Sequence, residues 1–284
     1  MSSKRNAIWK PMLLLVIIVV VVVAGCGPKP TEAPPPPTEA PTEVVAPTEA
    51  PTLTKPLEPT VPKPVLEFSS PGPSPEDLAW DGSHLWVVDS ETHLLYRVDP
   101  ATGESVRELE IEAERPQGVT WDGKNLWVLD QEAGIILRLD PETGEETGSI
   151  EAPRLDVEGP WSTTGLTWDG KFLWAAIGAG WCSSFNCIDP ESGEVVVSFF
   201  PQCDPRGLAS DGTYLWTIAY NGEELPSKLD RRQLSDDLEK MAQSQELLFD
   251  LDLEVKDPTG LAYGDGILWA VDRAERRIFQ VKGQ

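Results

Sequence analysis

The distribution of apolar and polar residues divides the chain into three parts. An unbroken apolar run, Met12 to Ala24, follows a short basic segment. A segment rich in Pro, Thr and Glu comes next, in which the repeated proline fixes φ and removes backbone donors. Short stretches of alternating apolar and polar residues then recur, a pattern typical of β-strands. We therefore expect a targeting segment at residues 1–25, a stalk at 26–64 and an all-β domain at 65–284.

Five similar segments occur in the all-β domain, and each ends in Leu-Trp. They are Leu78–Trp86, Val119–Trp127, Leu166–Trp174, Leu208–Trp216 and Leu261–Trp269. Their final tryptophans are 41, 47, 42 and 53 residues apart, and a period in the forties with strand-like content is typical of a propeller. Each unit reads as four strands, a to d, with glycine-containing turns between a and b and between c and d. We expect the five tryptophans to pack between neighbouring blades.

The two ends of the domain predict how a ring closes. The sequence ends just after strand c of the fifth unit, and Val65–Phe68 has the pattern of a d-strand without a blade. If Val65–Phe68 completes the fifth blade, the array has no open sheet edge between its first and last units. The sequence therefore predicts a five-bladed β-propeller. In the fourth unit Arg231–Glu246 is an insertion, in which Leu234, Leu238 and Met241 have helical spacing.

The amino-terminal residues predict export and a lipid anchor. The apolar run has 13 residues, fewer than the about 20 that a membrane-spanning helix needs, and small residues follow it, as in a secretory signal. Val23-Ala24-Gly25-Cys26 resembles the lipobox of bacterial lipoproteins. That resemblance implies that Cys26 carries a diacylglyceryl group and an acyl chain such as palmitate. The alternative is a secreted or signal-anchored protein in which Cys26 has no role.

The predicted anchor defines a location and one partner. The resemblance implies that the domain lies on the extracytoplasmic face of the cell envelope and is tied to the membrane by lipid. Gly27 after the cysteine favours, by the same resemblance, the outer membrane of a cell that has one. The proline-rich stalk would be extended and semi-rigid, with a reach of roughly 100 Å.

Net charge limits the partners further. The formal net charge is −24, and it becomes −27 once the signal with Lys4, Arg5 and Lys10 is removed. Such a surface repels nucleic acid and anionic headgroups, so we expect no nucleic-acid partner. The charge favours solubility and cationic partners.

The repeat Gly-Leu-Xaa-Trp-Asp-Gly followed by Leu-Trp and Asp-Pro-Xaa-Thr-Gly resembles bacterial extracytoplasmic propellers of the NHL, YVTN and streptogramin-lyase-like superfamily. The number of blades also resembles glutamine cyclotransferases, five-bladed propellers that cyclise amino-terminal glutamine. Their Phe-Thr-Gln-Gly-Leu entry and Tyr-Glu-Ser-Thr-Gly strand correspond here to Pro75–Leu78 and Leu85–Thr92. Gln117-Gly118-Val119 is similar to part of the entry motif, but it lies in the second blade. Neither motif is intact, which leaves this activity as an alternative.

The repeat register predicts which side chains surround the mouth of the central channel. The positions just before the five a-strands hold Glu76, Gln117, Thr164, Arg206 and Thr259. Three residues after the b-strand tryptophans lie Asp89, Asp130 and Asp272, which belong to neighbouring blades of the ring. Carboxylates in such an arc suit a hard cation such as Ca²⁺, while the alternative is that each Asp caps its own turn.

Aromatic residues and cysteines outside the repeat add further candidates. Trp161 and Trp181 lie in loops and are candidates for ligand contact. Export allows disulfides, and we favour Cys182–Cys203, with Cys182–Cys187 as the alternative. Only two histidines occur, His84 and His93, without a metal-binding or triad spacing, so no catalytic residue is identified.

Taken together, these patterns favour a function in binding. We expect a lipid-anchored, surface-exposed propeller that binds a ligand or an envelope protein without catalysis. The alternative is an enzyme similar to glutamine cyclotransferases or streptogramin lyases, which would use carboxylates at the channel mouth. A common fold does not decide between the two.

Overall fold

A computed structural model describes residues 66–154, 162–178, 183–200, 204–220, 227–235, 237, 241, 249–253 and 255–281. These residues form twenty strands in five sheets of four antiparallel strands each. The predicted signal, Cys26 and the stalk lie outside the described residues. No helix among the described residues is long and apolar enough to cross a membrane.

Each sheet is one blade of a five-bladed propeller, as the sequence predicts. Blade 1 contains β2 (Pro75–Trp80), β3 (Leu85–Asp89), β4 (Leu94–Val98) and β5 (Ser105–Glu110). Blade 2 contains β6 (Pro116–Trp121), β7 (Leu126–Asp130), β8 (Ile135–Leu139) and β9 (Glu146–Glu151). Blade 3 contains β10 (Ser162–Trp168), β11 (Leu173–Gly178), β12 (Ser184–Ile188) and β13 (Val195–Phe199).

The remaining two blades differ from the first three. Blade 4 contains β14 (Asp204–Ser210), β15 (Tyr214–Tyr220), β16 (Ser227–Gln233) and β17 (Phe249–Leu253). Blade 5 contains β18 (Pro258–Gly264), β19 (Ile267–Asp272), β20 (Arg277–Val281) and, from the other end of the domain, β1 (Glu67–Ser69). Strand β16 continues to Gln233, three residues into the predicted insertion. Most of the rest of that insertion lies outside the described residues, but Met241 is buried in a cluster with Leu234.

The predicted closure is confirmed by the pairing of β1 with β20. Glu67 lies opposite Phe279 and Ser69 opposite Arg277 in an antiparallel register. The ring of Phe68 lies 5.9 Å from that of Trp269 in blade 5. On its other side, Phe68 contacts the c–d turn of blade 1, where a Cβ on Gly103 would lie 2.5 Å from the phenyl ring. The closing strand β1 therefore contacts the last and the first blade at once.

The core consists of five hydrophobic clusters, and each cluster joins two neighbouring blades. Trp86, Trp127, Trp174 and Trp269 are at most 2% exposed, which confirms that they pack between blades. Trp216 contacts the cluster between blades 4 and 5 but is only partly buried. Arg231 lies over its ring at 5.3 Å, as Arg97 and Arg138 lie over the rings of Trp86 and Trp127 at 5.7 Å.

The Trp-Asp-Gly turns contain a contact that the sequence comparison does not reveal. In blades 1 to 4 the turn Asp accepts a hydrogen bond from the indole N–H of the b-strand tryptophan of its own blade. The pairs are Asp81–Trp86 at 3.0 Å, Asp122–Trp127 at 2.7 Å, Asp169–Trp174 at 2.7 Å and Asp211–Trp216 at 3.0 Å. Blade 5 has Gly264 at this position because the ring of Trp80 occupies the space, 2.2 Å from where a Cβ would lie.

Two of these turn carboxylates, Asp81 and Asp122, are held in the ionised form. Burial raises the pKa of Asp81 and Asp122, but hydrogen bonds outweigh it, from the His84 amide and Ser83 in the first case and from Asn125 in the second. The net effect lowers the pKa of both groups. A carboxylate with a lowered pKa in the folded state stabilises the fold above the unfolded pKa, and this contribution is lost as the pH falls through the folded pKa.

We therefore expect the free energy of unfolding to decrease as the pH falls below the ordinary Asp pKa of about 4. Asp122→Asn should remove part of this decrease, because one of the groups that take up protons on unfolding is gone. Urea unfolding followed by tryptophan fluorescence at several pH values measures the slope. Thr213→Ala, an exposed change in the turn of blade 4 that removes no carboxylate, is the control and should leave the slope unchanged. An equal slope in the native chain and in Asp122→Asn would contradict this assignment.

Candidate functional site

The inner strand of every blade has a β-bulge at the same place. The register of β2, β6, β10, β14 and β18 against the next strand shifts by one residue. The residues at these shifts are Glu76, Gln117, Thr164, Arg206 and Thr259, the five positions that the sequence places at the channel mouth. A bulge redirects a side chain out of the regular alternation of a strand. We call these five residues the bulge ring.

Directly after Glu76 of the bulge ring, one carboxylate links the inner strands of four blades. Asp77 is fully buried, and its carboxylate accepts hydrogen bonds from backbone amides of four blades. These donors are Leu78 N at 2.9 Å, Val119 N at 3.1 Å, Leu166 N at 3.2 Å and Leu261 N at 3.3 Å. Burial raises the pKa of Asp77 well above its ordinary value, and the four amides act in the opposite direction.

Asp77 is a residue that the sequence analysis missed. The other four blades have glycine at the same position of the repeat: Gly118, Gly165, Gly207 and Gly260. These glycines lie close to their neighbours, since a Cβ on Gly260 would be 2.4 Å from the Cα of Asp77. The only signal in the sequence was the replacement of glycine by Asp in one repeat out of five.

Glu76 of the bulge ring forms a network that crosses from blade 1 to blade 5. Arg273 donates to both of its carboxylate oxygens, at 3.0 and 2.8 Å, and also contacts Asp257 at 2.9 Å. Ser90 donates to Glu76 at 2.6 Å. Burial lowers the pKa of Arg273, but Glu76 and Asp257 outweigh it and the net pKa is raised. Glu76 is therefore neutralised by a cation of the neighbouring blade.

Gln117 differs from its neighbours in the bulge ring. Thr164 donates to the carbonyl of Pro205 at 2.7 Å, and Thr259 donates to that of Pro75 at 3.1 Å. Gln117 is 8% exposed, and its buried side-chain oxygen has no hydrogen-bond partner among the described residues. A buried amide oxygen without a partner destabilises a fold, so such a group calls for an explanation.

Asp89, Asp130 and Asp272 each bind the backbone of their own blade. Their carboxylates accept hydrogen bonds from amides just before strand a and, in the b–c turn, just after strand b. The donors are Ser74, Glu91 and Thr92 for Asp89; Glu114, Arg115, Glu132 and Ala133 for Asp130; and Lys256, Asp257 and Glu275 for Asp272. Arg277 also approaches Asp272, at 3.5 Å.

These bonds are those expected if each Asp caps its own turn, which was one of the two alternatives. Blades 3 and 4 have Ile177 and Ala219 in the same place, so only the neighbouring blades 5, 1 and 2 are fastened in this way. Within the described residues, no group of three or more acidic, histidine or cysteine side chains converges as metal ligands. The calcium site at Asp89, Asp130 and Asp272 stays a prediction.

The other candidates are only partly described. Trp161, Trp181, Cys182 and Cys203 lie outside the described residues, so the Cys182–Cys203 disulfide stays a prediction. Cys187 is buried and free, and burial raises the pKa of its thiol to about 12. The alternative Cys182–Cys187 bridge is therefore not formed. Arg206 is half-buried in the bulge ring.

Comparisons with known proteins bear on the fold. No protein-family model and no curated protein matches the chain. Among solved structures, a glutaminyl cyclase from Myxococcus xanthus has a TM-score of 0.61 at 11% identity, over 79% of this chain and 98% of that one. A hydrazine synthase from Kuenenia stuttgartiensis has a TM-score of 0.45 at 19% identity, over 72% of this chain and 57% of that one. A virginiamycin B lyase from Staphylococcus aureus has a TM-score of 0.43 at 19% identity, over 72% of this chain and 65% of that one. The chain is a five-bladed β-propeller, and at this level of identity the likeness to solved structures shows the fold alone.

Proposed function

We propose that this protein is a binding module, anchored by lipid at Cys26 on the extracytoplasmic face of the cell envelope, which holds a ligand or partner protein at the channel mouth without altering it. The observation that carries the proposal is the side-chain oxygen of Gln117 in the bulge ring, which is buried and has no hydrogen-bond partner among the described residues. A primary amide offers one acceptor and two donors. It suits a ligand that presents an amide or peptide group, which supplies both an N–H and a C=O.

The state of the acidic residues supports binding over catalysis. The carboxylates of Asp89, Asp130 and Asp272 accept several backbone amides each, and Glu76 is paired with Arg273. A general acid or base needs a proton position within reach of a substrate, and these groups use their lone pairs within the fold. The same residues would need to break these bonds before they could take part in chemistry.

The second candidate is an enzyme similar to glutamine cyclotransferases. The structural match with the Myxococcus xanthus glutaminyl cyclase covers 98% of that chain. In addition, Gln117-Gly118-Val119 is similar to part of the entry motif of glutamine cyclotransferases. A peptide with amino-terminal glutamine is therefore the appropriate substrate for a direct test. Release of ammonia from this peptide, detected as the mass change of the product, would show that the protein is an enzyme and would contradict the binding proposal.

We expect Gln117→Leu to abolish capture of the ligand from envelope extract while leaving the melting temperature of the protein unchanged or higher. Leucine has a similar volume and removes the unsatisfied buried oxygen, so the loss of binding is not a loss of folding. The bound molecules are compared by mass spectrometry, and the melting temperature is followed by tryptophan fluorescence. The control is Lys124→Ala, an exposed change in the a–b turn of the same blade. Unchanged capture by Gln117→Leu, or a lowered melting temperature, would contradict the assignment of Gln117 to a ligand.

A further inference from the structure

Exposed apolar side chains are concentrated on one edge of the propeller. Five large hydrophobic residues among the described part of the chain are exposed: Leu66, Val106, Val195, Val196 and Phe200. Three of them belong to β13 or follow it directly. Val195 is 44% exposed, Val196 48% and Phe200 68%. Since β13 is the outermost strand of blade 3, this apolar surface lies on a sheet edge with unpaired backbone groups.

The corresponding outer strands of the other blades carry charges. Strand β5 contains Arg107, Glu108 and Glu110, and strand β9 begins and ends with glutamate. The sequence of β17 has two aspartates, and β1 has Glu67. Charged residues on an edge strand oppose pairing with another chain. The sequence Val195-Val-Val-Ser-Phe-Phe200 has no charge, proline or glycine, so blade 3 lacks this protection.

The bulge near the start of β13 does not distinguish the outer strand of blade 3 from those of blades 1 and 2. Strands β5, β9 and β13 all have a register shift at this place, with Val106, Thr147 and Val196 as the extra residues. A bulge twists an edge away from a partner over one or two residues. The stretch from Val197 to Phe200 follows the bulge and is open to pairing. Blade 3 therefore differs from blades 1 and 2 in charge and not in backbone shape.

We propose that β13 pairs antiparallel with β13 of a second copy of this chain. A two-fold axis at Ser198 pairs Val197 with Phe199 of the second copy on both sides of the axis, and the exposed side chains of Val196 and Phe200 flank these pairs. Cross-strand pairs of an aromatic and a β-branched side chain are favourable. The two copies bury their exposed apolar side chains against each other, and the two four-stranded blades become one eight-stranded sheet.

The uncharged edge itself contains no group that would repel a second copy of the same strand. The nearest charged residue of the strand is Glu194, which lies before the bulge. In the antiparallel arrangement, the two Glu194 residues lie at opposite ends of the pair, so no like charges face each other. The whole chain is strongly acidic, with a net charge of −24, so long-range repulsion opposes association. Salt screens that repulsion, and self-association through an uncharged edge should therefore increase with ionic strength, whereas binding of a basic partner would decrease.

Cysteine cross-linking of the full chain in its membrane tests the pairing. Ser198→Cys places two thiols beside the two-fold axis, and mild oxidation should convert most of this variant to a disulfide-linked dimer that a reductant dissociates. Ser149→Cys is the matched control, because Ser149 is an exposed serine at the same register position of β9 in blade 2. We expect Ser149→Cys to form no more disulfide-linked dimer than the native chain does. Addition of Val196→Lys to Ser198→Cys should abolish the cross-link, since two positive charges then enter the interface.

Four results would overturn the proposal. They are equal cross-linking of Ser198→Cys and Ser149→Cys, persistence of the dimer with Val196→Lys, a decrease of the dimer as salt is raised, and a product whose mass differs from that of two copies. A product of different mass would identify another protein as the occupant of β13. Because none of these readouts depends on a ligand at the channel mouth, they distinguish failure of this proposal from failure of the proposed function.

Discussion

Replacement of Asp77 by alanine is expected to lower the free energy of unfolding by about 3 kcal/mol or more, since each buried N–H without an acceptor costs roughly 1–3 kcal/mol. The four amides that donate to Asp77 belong to blades 1, 2, 3 and 5, so the loss affects the centre of the whole ring. This value is lower than the sum for four unsatisfied amides, because water that enters the space left by the side chain can accept hydrogen bonds from some of them. Urea unfolding followed by tryptophan fluorescence measures the change.

Two further variants separate the carboxylate from the space that it fills. Asp77→Asn keeps the shape but turns one oxygen, which accepts from two amides, into a donor, so it should cost nearly as much as alanine. Asp77→Gly introduces the residue found in the other four blades and should also destabilise the protein. If Asp77→Gly were as stable as the native chain, glycine alone would suffice at the axis, and the carboxylate would have no structural role.

Deletion of residues 65–68 is expected to destabilise the propeller as a whole, by on the order of 4 kcal/mol, since aromatic burial and a row of strand pairs are lost together. Phe68 contacts Trp269 in blade 5 and the turn at Gly103 in blade 1, so its removal exposes both neighbours. Phe68→Ala alone should cost less, about 2 kcal/mol, because the side chain is only partly buried and the strand pairing is kept.

The control for this deletion is a deletion of equal length in the stalk, residues 61–64. Proline-rich sequence cannot replace a paired strand, since proline has no backbone donor. We expect the stalk deletion to leave the thermal transition unchanged and the deletion of 65–68 to shift it as a single cooperative step. A separate early transition confined to blade 5, with the rest of the domain unaffected, would show that the closing strand stabilises one blade only.

The sequence was sufficient for the architecture because repetition makes the fold redundant. Five copies of one pattern fix the number of blades, and β1 (Glu67–Ser69), which overlaps the strand predicted at Val65–Phe68, supplies the strand missing at the end. The bulge ring was also predictable, because its five positions stand at one point of the repeat. Trp216 shows the limit of this argument: its cross-strand partner Arg231 corresponds to Arg97 and Arg138 in blades 1 and 2, yet Trp216 is only partly buried, which the repeat does not indicate.

The site was harder to predict because its chemistry lies in departures from the repeat. Asp77 and Gln117 are single residues whose roles depend on which backbone amides lie nearby, and residue spacing does not contain that information. Asp89, Asp130 and Asp272 illustrate the opposite difficulty. Their recurrence suggested a shared acidic site, yet each carboxylate is satisfied within its own blade by amides that any sequence would provide.

The closing strand also has a topological consequence. Blades 1 to 4 are each continuous in sequence, whereas blade 5 joins the two ends of the domain through three residue pairs. The ring is thus closed by non-covalent strand pairing between β1 and β20. The polypeptide that precedes the domain continues directly into β1, one of these two strands. A circular permutant that links β20 covalently to β1 and opens the chain between blades 2 and 3 keeps every strand pair, makes every blade continuous in sequence and moves the two ends to the interface between blades 2 and 3. In that molecule, tension on the amino terminus would reach the interface between blades 2 and 3 first and would no longer load the pairing of β1 with β20.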